Sequence, residues 1–132
     1  MIKTWAEPDQ KLDHLARDVI GAGIEVHRAL GPGLLESVYE KAMCIELASR
    51  AIPCVPQALV PLYYKGKHVG EGRIDLLVDG QLVIELKAVS ELADIHTAQL
   101  LTYLKTANFR LGLLMNFNVK RMGDGIKRVI NT

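Results

Sequence analysis

The stretch that decides the fold is residues 73–87, which read Arg-Ile-Asp-Leu-Leu-Val-Asp-Gly-Gln-Leu-Val-Ile-Glu-Leu-Lys. Two apolar segments meet at the turn signal Asp79-Gly80, a pattern that predicts a β-hairpin. Charged residues interrupt both segments: Asp75 in the first, and Glu85 and Lys87 in the second. Because side chains alternate across a strand, Glu85 and Lys87 project from the same face. That face is either the solvated side of an edge strand or a metal- and phosphate-binding site built on a rigid sheet.

The register of this hairpin determines whether Asp75 joins the other two charges. A two-residue loop sets Asp75 opposite the apolar Ile84. A three-residue loop of residues 78–80, with Gly80 in the left-handed conformation, instead pairs Leu77 with Gln81. This second register separates the charged side chains from an apolar face, so we expect it to be the one adopted. The apolar face would contain Ile74, Leu76, Leu82, Ile84 and Leu86.

The composition predicts one compact domain over residues 1–132, since 49% of the residues are hydrophobic and no linker or repeat interrupts them. No apolar run is long enough to span a bilayer, and residues 1–8 lack the apolar core of a signal peptide. Cys44 and Cys54 fit no zinc spacing and suit reduced thiols, so we expect a cytoplasmic protein. The net charge of +1 exerts no general attraction on nucleic acid, so binding would need a local basic patch.

The order of predicted elements is ααβββαβ. Amphipathic spacing predicts a helix over residues 9–30, which Gly31-Pro32-Gly33 ends, and a second helix over residues 34–49. Strands are predicted over residues 55–64, 68–78 and 81–87, the first at an edge of the sheet because it contains Pro56 and Pro61. A helix over residues 92–108 and a buried strand over residues 110–117 complete a β-α-β crossover, and the tail is a short strand or a frayed helix. The chain is therefore predicted to be an α/β domain with a mixed sheet flanked by helices.

Polar residues on the helices are further candidates, and His27 and Glu36 admit two interpretations each. His27 lies among apolar residues, where a packing role is commoner than metal binding. Glu36 in the first turn of the second helix complements the helix dipole, which also keeps a carboxylate ionised as a metal ligand must be. Gln99 and Tyr103 are four residues apart and so share one face of their helix.

These motifs together resemble the PD-(D/E)XK nuclease-like superfamily. The resemblance covers residues 20–117. Its first motif is Asp75 followed by Glu85-Leu86-Lys87, in an αβββαβ order of elements. Gly33-Leu-Leu-Glu36-Ser-Val-Tyr39 is similar to the signature of the GxxExxY family within that superfamily. Gln99-Leu-Leu-Thr-Tyr103 resembles the QxxxY motif of its recombination-exonuclease branch. Ile74 stands where the superfamily name has proline, a position that varies among its members.

The resemblance implies a restriction-endonuclease-like core and a Mg²⁺- or Mn²⁺-dependent nuclease. Asp75 and Glu85 would be metal ligands and catalytic residues, with Glu36 as a further metal-binding acid and the Leu86 carbonyl as another ligand. Lys87 would orient the attacking water or balance negative charge, and Gln99 and Tyr103 would contact the substrate. Hard divalent cations prefer such oxygen ligands, and they both acidify water and neutralise phosphate charge.

Two functions of different classes remain open on these residues. The first is a phosphodiester hydrolase acting on nucleic acid, with DNA favoured over RNA, and the intact Asp75, Glu85 and Lys87 favour it. The second is a non-catalytic nucleic-acid- or protein-binding module on the same scaffold. The near-neutral charge favours the second, or else a homodimer that shares a groove. A thiol enzyme has little support, because neither cysteine has a partner acid or base in the sequence.

Overall fold

A mixed five-stranded sheet forms the centre of the computed structural model, which describes residues 9–132. Its strands lie in chain order across the sheet: β1 (Cys54–Tyr64), β2 (Lys67–Val78), β3 (Leu82–Lys87), β4 (Leu111–Asn116) and β5 (Ile126–Ile130). The helices are α1 (Gln10–Leu30), α2 (Glu36–Ser49) and α3 (Asp94–Ala107). The predicted α/β class and the order of its elements are confirmed. The expectation about a signal peptide concerns residues 1–8 and lies outside the described residues.

The strand pairing follows from how the strands are connected. β1, β2 and β3 are joined by tight turns and pair antiparallel, whereas α3 separates β3 from β4 and these two pair in parallel. β1 occupies an edge of the sheet, as its two prolines predict. The tail, predicted as a strand or a frayed helix, forms a 3-10 turn at Met122–Gly125 and then β5, which pairs antiparallel with β4.

Helices cover both faces of the sheet and give the domain two apolar cores. On one face, α1 and α2 pack through Val19, Tyr39 and Met43 on Leu76, Ile84 and other strand residues. On the other face, α3 packs through Leu100 and Leu104 on Ile74, Val83, Leu114 and Val129. All of β4 is buried, which agrees with its nearly continuous apolar sequence. No helix within residues 9–132 combines the length and apolar character needed to cross a membrane.

The hairpin of β2 and β3 differs from the predicted register by two residues. Leu77 pairs with Val83, not with Gln81, and the loop consists of residues 79–81. Asp79 and Gly80 both have positive φ, 51° and 67°, so the chain reverses one residue later than expected. A shift of two leaves the side chains of residues 76–78 and 82–84 on their predicted faces, because strands alternate with a period of two.

Ile74 is the exception to the predicted faces. We expected it beside Leu76, but it packs in the α3 core while Leu76 packs in the core of α1 and α2. The ladder between β2 and β3 contains only residues 76–78 and 82–84, so β2 leaves β3 at Asp75. The alternation of side chains along β2 is interrupted at this point, and the two strands diverge.

Candidate active site

Asp75 and Glu85 meet where β2 leaves β3. The backbone N–H of Asp75 donates to Oε1 of Glu85 over 3.3 Å, and the N–H of Leu86 donates to Oδ2 of Asp75 over 2.8 Å. In each bond, a backbone N–H of one strand donates to a side-chain carboxylate of the other strand. In a regular ladder the acceptor would be a backbone carbonyl. These two reciprocal bonds hold the carboxyl groups together in the gap between the diverging strands.

The position of Glu85 disfavours its negative charge. Burial, followed by repulsion from the Asp75 carboxylate, raises the pKa of Glu85 from 4.5 to about 8. The amide of Asp75 and the ammonium group of Lys87 act in the opposite direction without cancelling the first two effects. An acid pair of this kind requires a proton or a cation to balance it near neutral pH.

Lys87, Gln99 and Tyr103 surround Glu85 on the α3 side of the sheet. All four line one small cavity, together with His96, Leu100 and Leu114. The i, i+4 spacing of Gln99 and Tyr103 on α3 directs both toward this cavity. Their placement beside Glu85 matches the one expected from the sequence, and their contact with a substrate stays a prediction.

Glu36 lies on the opposite side of Asp75 from this cavity. It lines a separate cavity of about 160 Å³ with Glu40, Gln57 and Asp75. Gln57 donates from Nε2 to Glu40, and the same atom lies 3.5 Å from Oδ1 of Asp75. Asp75 therefore lies between the cavity of Glu36 and Glu40 on one side and Glu85 on the other.

The expected convergence of Glu36, Asp75 and Glu85 on a single point is not present in the structure. Among residues 9–132, no three Asp, Glu, His or Cys side chains are grouped so that they could hold one metal ion. The reason is topological: α2 approaches Asp75 from the face of the sheet that α1 and α2 cover, whereas Glu85 faces α3. Of the predicted ligands, only Asp75 and Glu85 are in direct contact.

Tyr39 explains why α2 begins beside the strands. Its ring is fully buried and stacks on Phe117 at a centroid distance of 4.5 Å. Its hydroxyl donates to the carbonyl of Gly31 over 2.6 Å and accepts from the N–H of Leu34 over 3.1 Å. Tyr39 thus stabilises the turn that precedes α2. Glu36 follows this turn directly as the first residue of the helix.

His27 supports the same region as a packing residue. It is buried on α1, and its Nε2 lies 2.7 Å from the carbonyl oxygen of Val119, near the Phe117 ring. The packing interpretation of His27 agrees with these contacts.

Three residues near the acid pair were not among the predicted site residues. His96 shares the cavity of Glu85 and Lys87, and its Nδ1 accepts from the N–H of Ala93 over 3.0 Å, which leaves Nε2 for other partners. His96 lies three residues before Gln99 and seven before Tyr103, so the sequence already places it on the same face of α3. Gln57 and Arg73 reach the site through the pairing of β1 with β2, and no local motif marks them.

The cysteines form a separate contact away from the acid pair. Cys44 and Cys54 line the same apolar cavity, together with Ile52 and Pro53. Burial raises the pKa of both thiols, that of Cys54 to about 12. Since the thiolate is the reactive form, this environment does not favour a thiol enzyme.

The comparisons with known proteins identify one family. The model of the PD-(D/E)XK nuclease superfamily matches residues 13–129. The chain belongs to the PD-(D/E)XK nuclease superfamily. No curated protein and no solved structure matches the chain significantly. The family match includes both strands of the acid pair, all of α2 and α3, and α1 from residue 13 onward.

PD-(D/E)XK nucleases generally use divalent metal ions, and the acid pair of this member fits such an ion. Asp75 and Glu85 offer adjacent carboxylates, the donor type that hard cations prefer. Burial and the Asp75 carboxylate raise the pKa of Glu85, so a positive charge nearby would favour its ionised form. A divalent cation held by Asp75 and Glu85 would provide that positive charge.

Proposed function

We propose that this PD-(D/E)XK protein is a Mg²⁺- or Mn²⁺-dependent nuclease. The observation that carries the proposal is the contact between Asp75 and Glu85 at the divergence of β2 and β3, with Lys87 on the same strand as Glu85. When bound, the cation would acidify water and offset charge on the phosphate. Asp75 and Glu85 would hold it, and Glu36 would act from the far side of Asp75 through an intervening water.

The remaining residues of the cavity would act on the substrate. Lys87 places a positive charge next to Glu85, where it would orient water or stabilise the phosphate in the transition state. Gln99 and Tyr103 offer hydrogen bonds from α3 to a phosphate or to a bound water. We further propose that the chain is a member of the GxxExxY group, because Gly33, Glu36 and Tyr39 together form the start of α2 beside Asp75.

The test is a cleavage assay on labelled single- and double-stranded DNA and RNA with Mg²⁺ or Mn²⁺. Wild-type protein should cut at least one substrate, with DNA preferred, and EDTA should stop the reaction. Glu85→Gln keeps the size of the side chain and removes its charge, so it is the matched control and should be inactive. Equal cleavage by the wild-type and Glu85→Gln preparations would indicate a nuclease carried over from the expression host and would contradict the proposal.

The alternative is a nucleic-acid- or protein-binding module on a nuclease scaffold. The separation of Glu36 from Glu85 favours it, because the three acids expected at one metal site line two different cavities. A fold does not by itself establish catalysis. Binding of nucleic acid without cleavage under any of these metal conditions would select the module over the enzyme.

A further inference from the structure

A cleft leads from Glu85 to the surface between the β1–β2 hairpin and α3, and we call it the hairpin–α3 cleft. The hairpin supplies Leu62 and Arg73, and α3 supplies Ile95, Tyr103 and smaller residues. Glu85 lines its inner end. The volume is about 430 Å³, at the lower end of the roughly 300–1,000 Å³ typical of small-ligand sites.

The walls of the hairpin–α3 cleft combine apolar surface with two charged residues, Arg73 on the hairpin and Glu85 at the inner end. Leu62, Ile95 and the ring of Tyr103 form the apolar part. Arg73 is exposed, and within residues 9–132 its guanidinium group has no ion-pair partner. Arginine donates in a planar fork that matches phosphate, and aromatic and apolar surfaces accept the faces of bases. The lining therefore suits a group that is anionic on one side and flat on the other.

The width of the cleft is set by a close approach between β2 and α3. A Cβ atom at position 72 would lie 2.2 Å from Cε1 of Tyr103, so only glycine allows the ring to sit this close to the strand. Gly72 precedes Arg73, and the contact fixes the hairpin wall against the helix wall.

The β1–β2 hairpin carries further positive charge at its exposed tip. Lys65 and Lys67 stand at the exposed tip of the hairpin, where the Lys65 ammonium lies 5.4 Å from the centre of the Tyr64 ring. Arg73 lies further along β2, beyond the exposed Glu71, so the positive charge of the hairpin is divided between its tip and the cleft. Exposed cations of this kind attract a polyanion locally although the net charge of the chain is only +1.

We propose that the hairpin–α3 cleft binds one unpaired nucleotide of a single-stranded nucleic acid. Arg73 contacts its phosphate, Leu62, Ile95 and Tyr103 contact its base, and the adjoining phosphodiester reaches Glu85. A base in a duplex is stacked and paired, so it enters a recess only after leaving the stack. A single strand enters without that cost. The inference rests on the proposed nuclease function and names its substrate class.

The first test measures binding by fluorescence anisotropy in EDTA, which keeps the probe intact. The probes are fluorescein-labelled oligothymidylate, an abasic strand and a blunt duplex, all of equal length. Wild-type protein should bind oligothymidylate about tenfold more tightly than the duplex. The abasic strand should bind about fivefold or more weakly, because base stacking is lost.

Variants assign the binding to this cleft. Arg73→Ala should weaken binding of oligothymidylate about tenfold, the value of a charged hydrogen bond. Ala98→Trp places a bulky group on the exposed cleft wall of α3 and should weaken it similarly. The matched controls are Arg17→Ala on α1 and Ala48→Trp on α2, both exposed and outside the cleft. All four should retain the wild-type melting temperature to within a few degrees.

The outcomes separate this inference from the nuclease proposal. Strand binding that depends on Arg73 and Ala98, without cleavage in Mg²⁺ or Mn²⁺, would support the cleft and refute the enzyme. Cleavage with unchanged affinity in Arg73→Ala and Ala98→Trp would support the enzyme and overturn the cleft. Equal affinity for the duplex and oligothymidylate would also overturn it, as would equal affinity for the abasic strand.

Discussion

At the scale of single residues, Glu85 is a carboxyl group held where its charge is unfavourable. Its pKa is raised to about 8, by burial first and by Asp75 second, so the native protein retains a proton that the unfolded chain releases. The free energy of unfolding therefore contains a contribution that is complete below about pH 4.5 and is lost as the pH rises to about 8.

We predict that the free energy of unfolding in EDTA falls across this pH range because of Glu85. The slope from one proton is at most about 1.4 kcal/mol per pH unit. Glu85→Gln should flatten the profile, which urea titrations at several pH values would measure. Glu91→Gln, an exposed control, should keep the wild-type slope. A Glu85→Gln profile parallel to wild type would contradict the assigned cause.

We predict that Lys87→Ala lowers cleavage by about 10²–10³ while the fold and metal binding persist. Lys87 shares a cavity with Glu85 and contributes charge there, so its truncation removes stabilisation of the transition state more than packing. Single-turnover rates at matched metal concentration would test this. Lys105→Ala at the exposed end of α3 is the control. Wild-type turnover in Lys87→Ala would rule out the role.

At the scale of elements, the start of α2 depends on one hydroxyl group. Tyr39 bonds both the Gly31 carbonyl and the Leu34 N–H, so its oxygen closes the turn between α1 and α2. The three named residues of the Gly33–Glu36–Tyr39 motif thus have different tasks. Gly33 adopts a φ of 95° in the turn, Glu36 begins the helix, and Tyr39 fastens the turn to the core.

We predict that Tyr39→Phe lowers the free energy of unfolding by about 1–3 kcal/mol, since two backbone groups lose their partner. Activity should fall as well, because Glu36 is no longer held beside Asp75. Thermal melts and cleavage rates would measure the two effects. Tyr64→Phe at the exposed hairpin tip should change neither. An unchanged melt for Tyr39→Phe would show that the turn does not need the hydroxyl.

The β2–β3 hairpin shows how far a local pattern determines geometry. Alternation along residues 73–87 placed the hairpin and the faces of Glu85 and Lys87 correctly. It missed the register by two because the chain reverses over residues 79–81, and it misplaced Ile74 because β2 parts from β3 at Asp75. The carboxylate–amide bonds of Asp75 and Glu85 lie at this divergence. These bonds join separate strands, so no spacing within one strand encodes them.

At the scale of the whole molecule, the site is assembled from both faces of the sheet. Glu36 arrives with α2, whereas Gln99, Tyr103 and His96 arrive with α3. The sequence predicted the helices themselves through their periodicity. It did not indicate that Asp75 would separate Glu36 from Glu85, nor that Arg73 would enter a cleft with α3, because these relations follow from layer packing.

We predict that Mn²⁺ or Mg²⁺ raises the thermal stability of the domain. A ligand that binds only the native state adds about 1–3 kcal/mol at 10–100 times its dissociation constant. The shift should vanish in Asp75→Ala and Glu85→Ala, and it should shrink in Glu36→Ala, which lines only the neighbouring cavity. Thermal melts across a metal titration would measure it. A wild-type protein indifferent to both ions would exclude a metal site at the acid pair.

The crossed bonds of the acid pair also make two backbone amides into spectroscopic reporters. The N–H groups of Asp75 and Leu86 donate to carboxylates, so their ¹H and ¹⁵N resonances sense the charge on those oxygens directly. Deuterium exchange at the same two positions reports how often the diverging strands separate. Protonation, ion loading and strand opening at this junction can thus be followed in the resting protein, without turnover and without a labelled substrate.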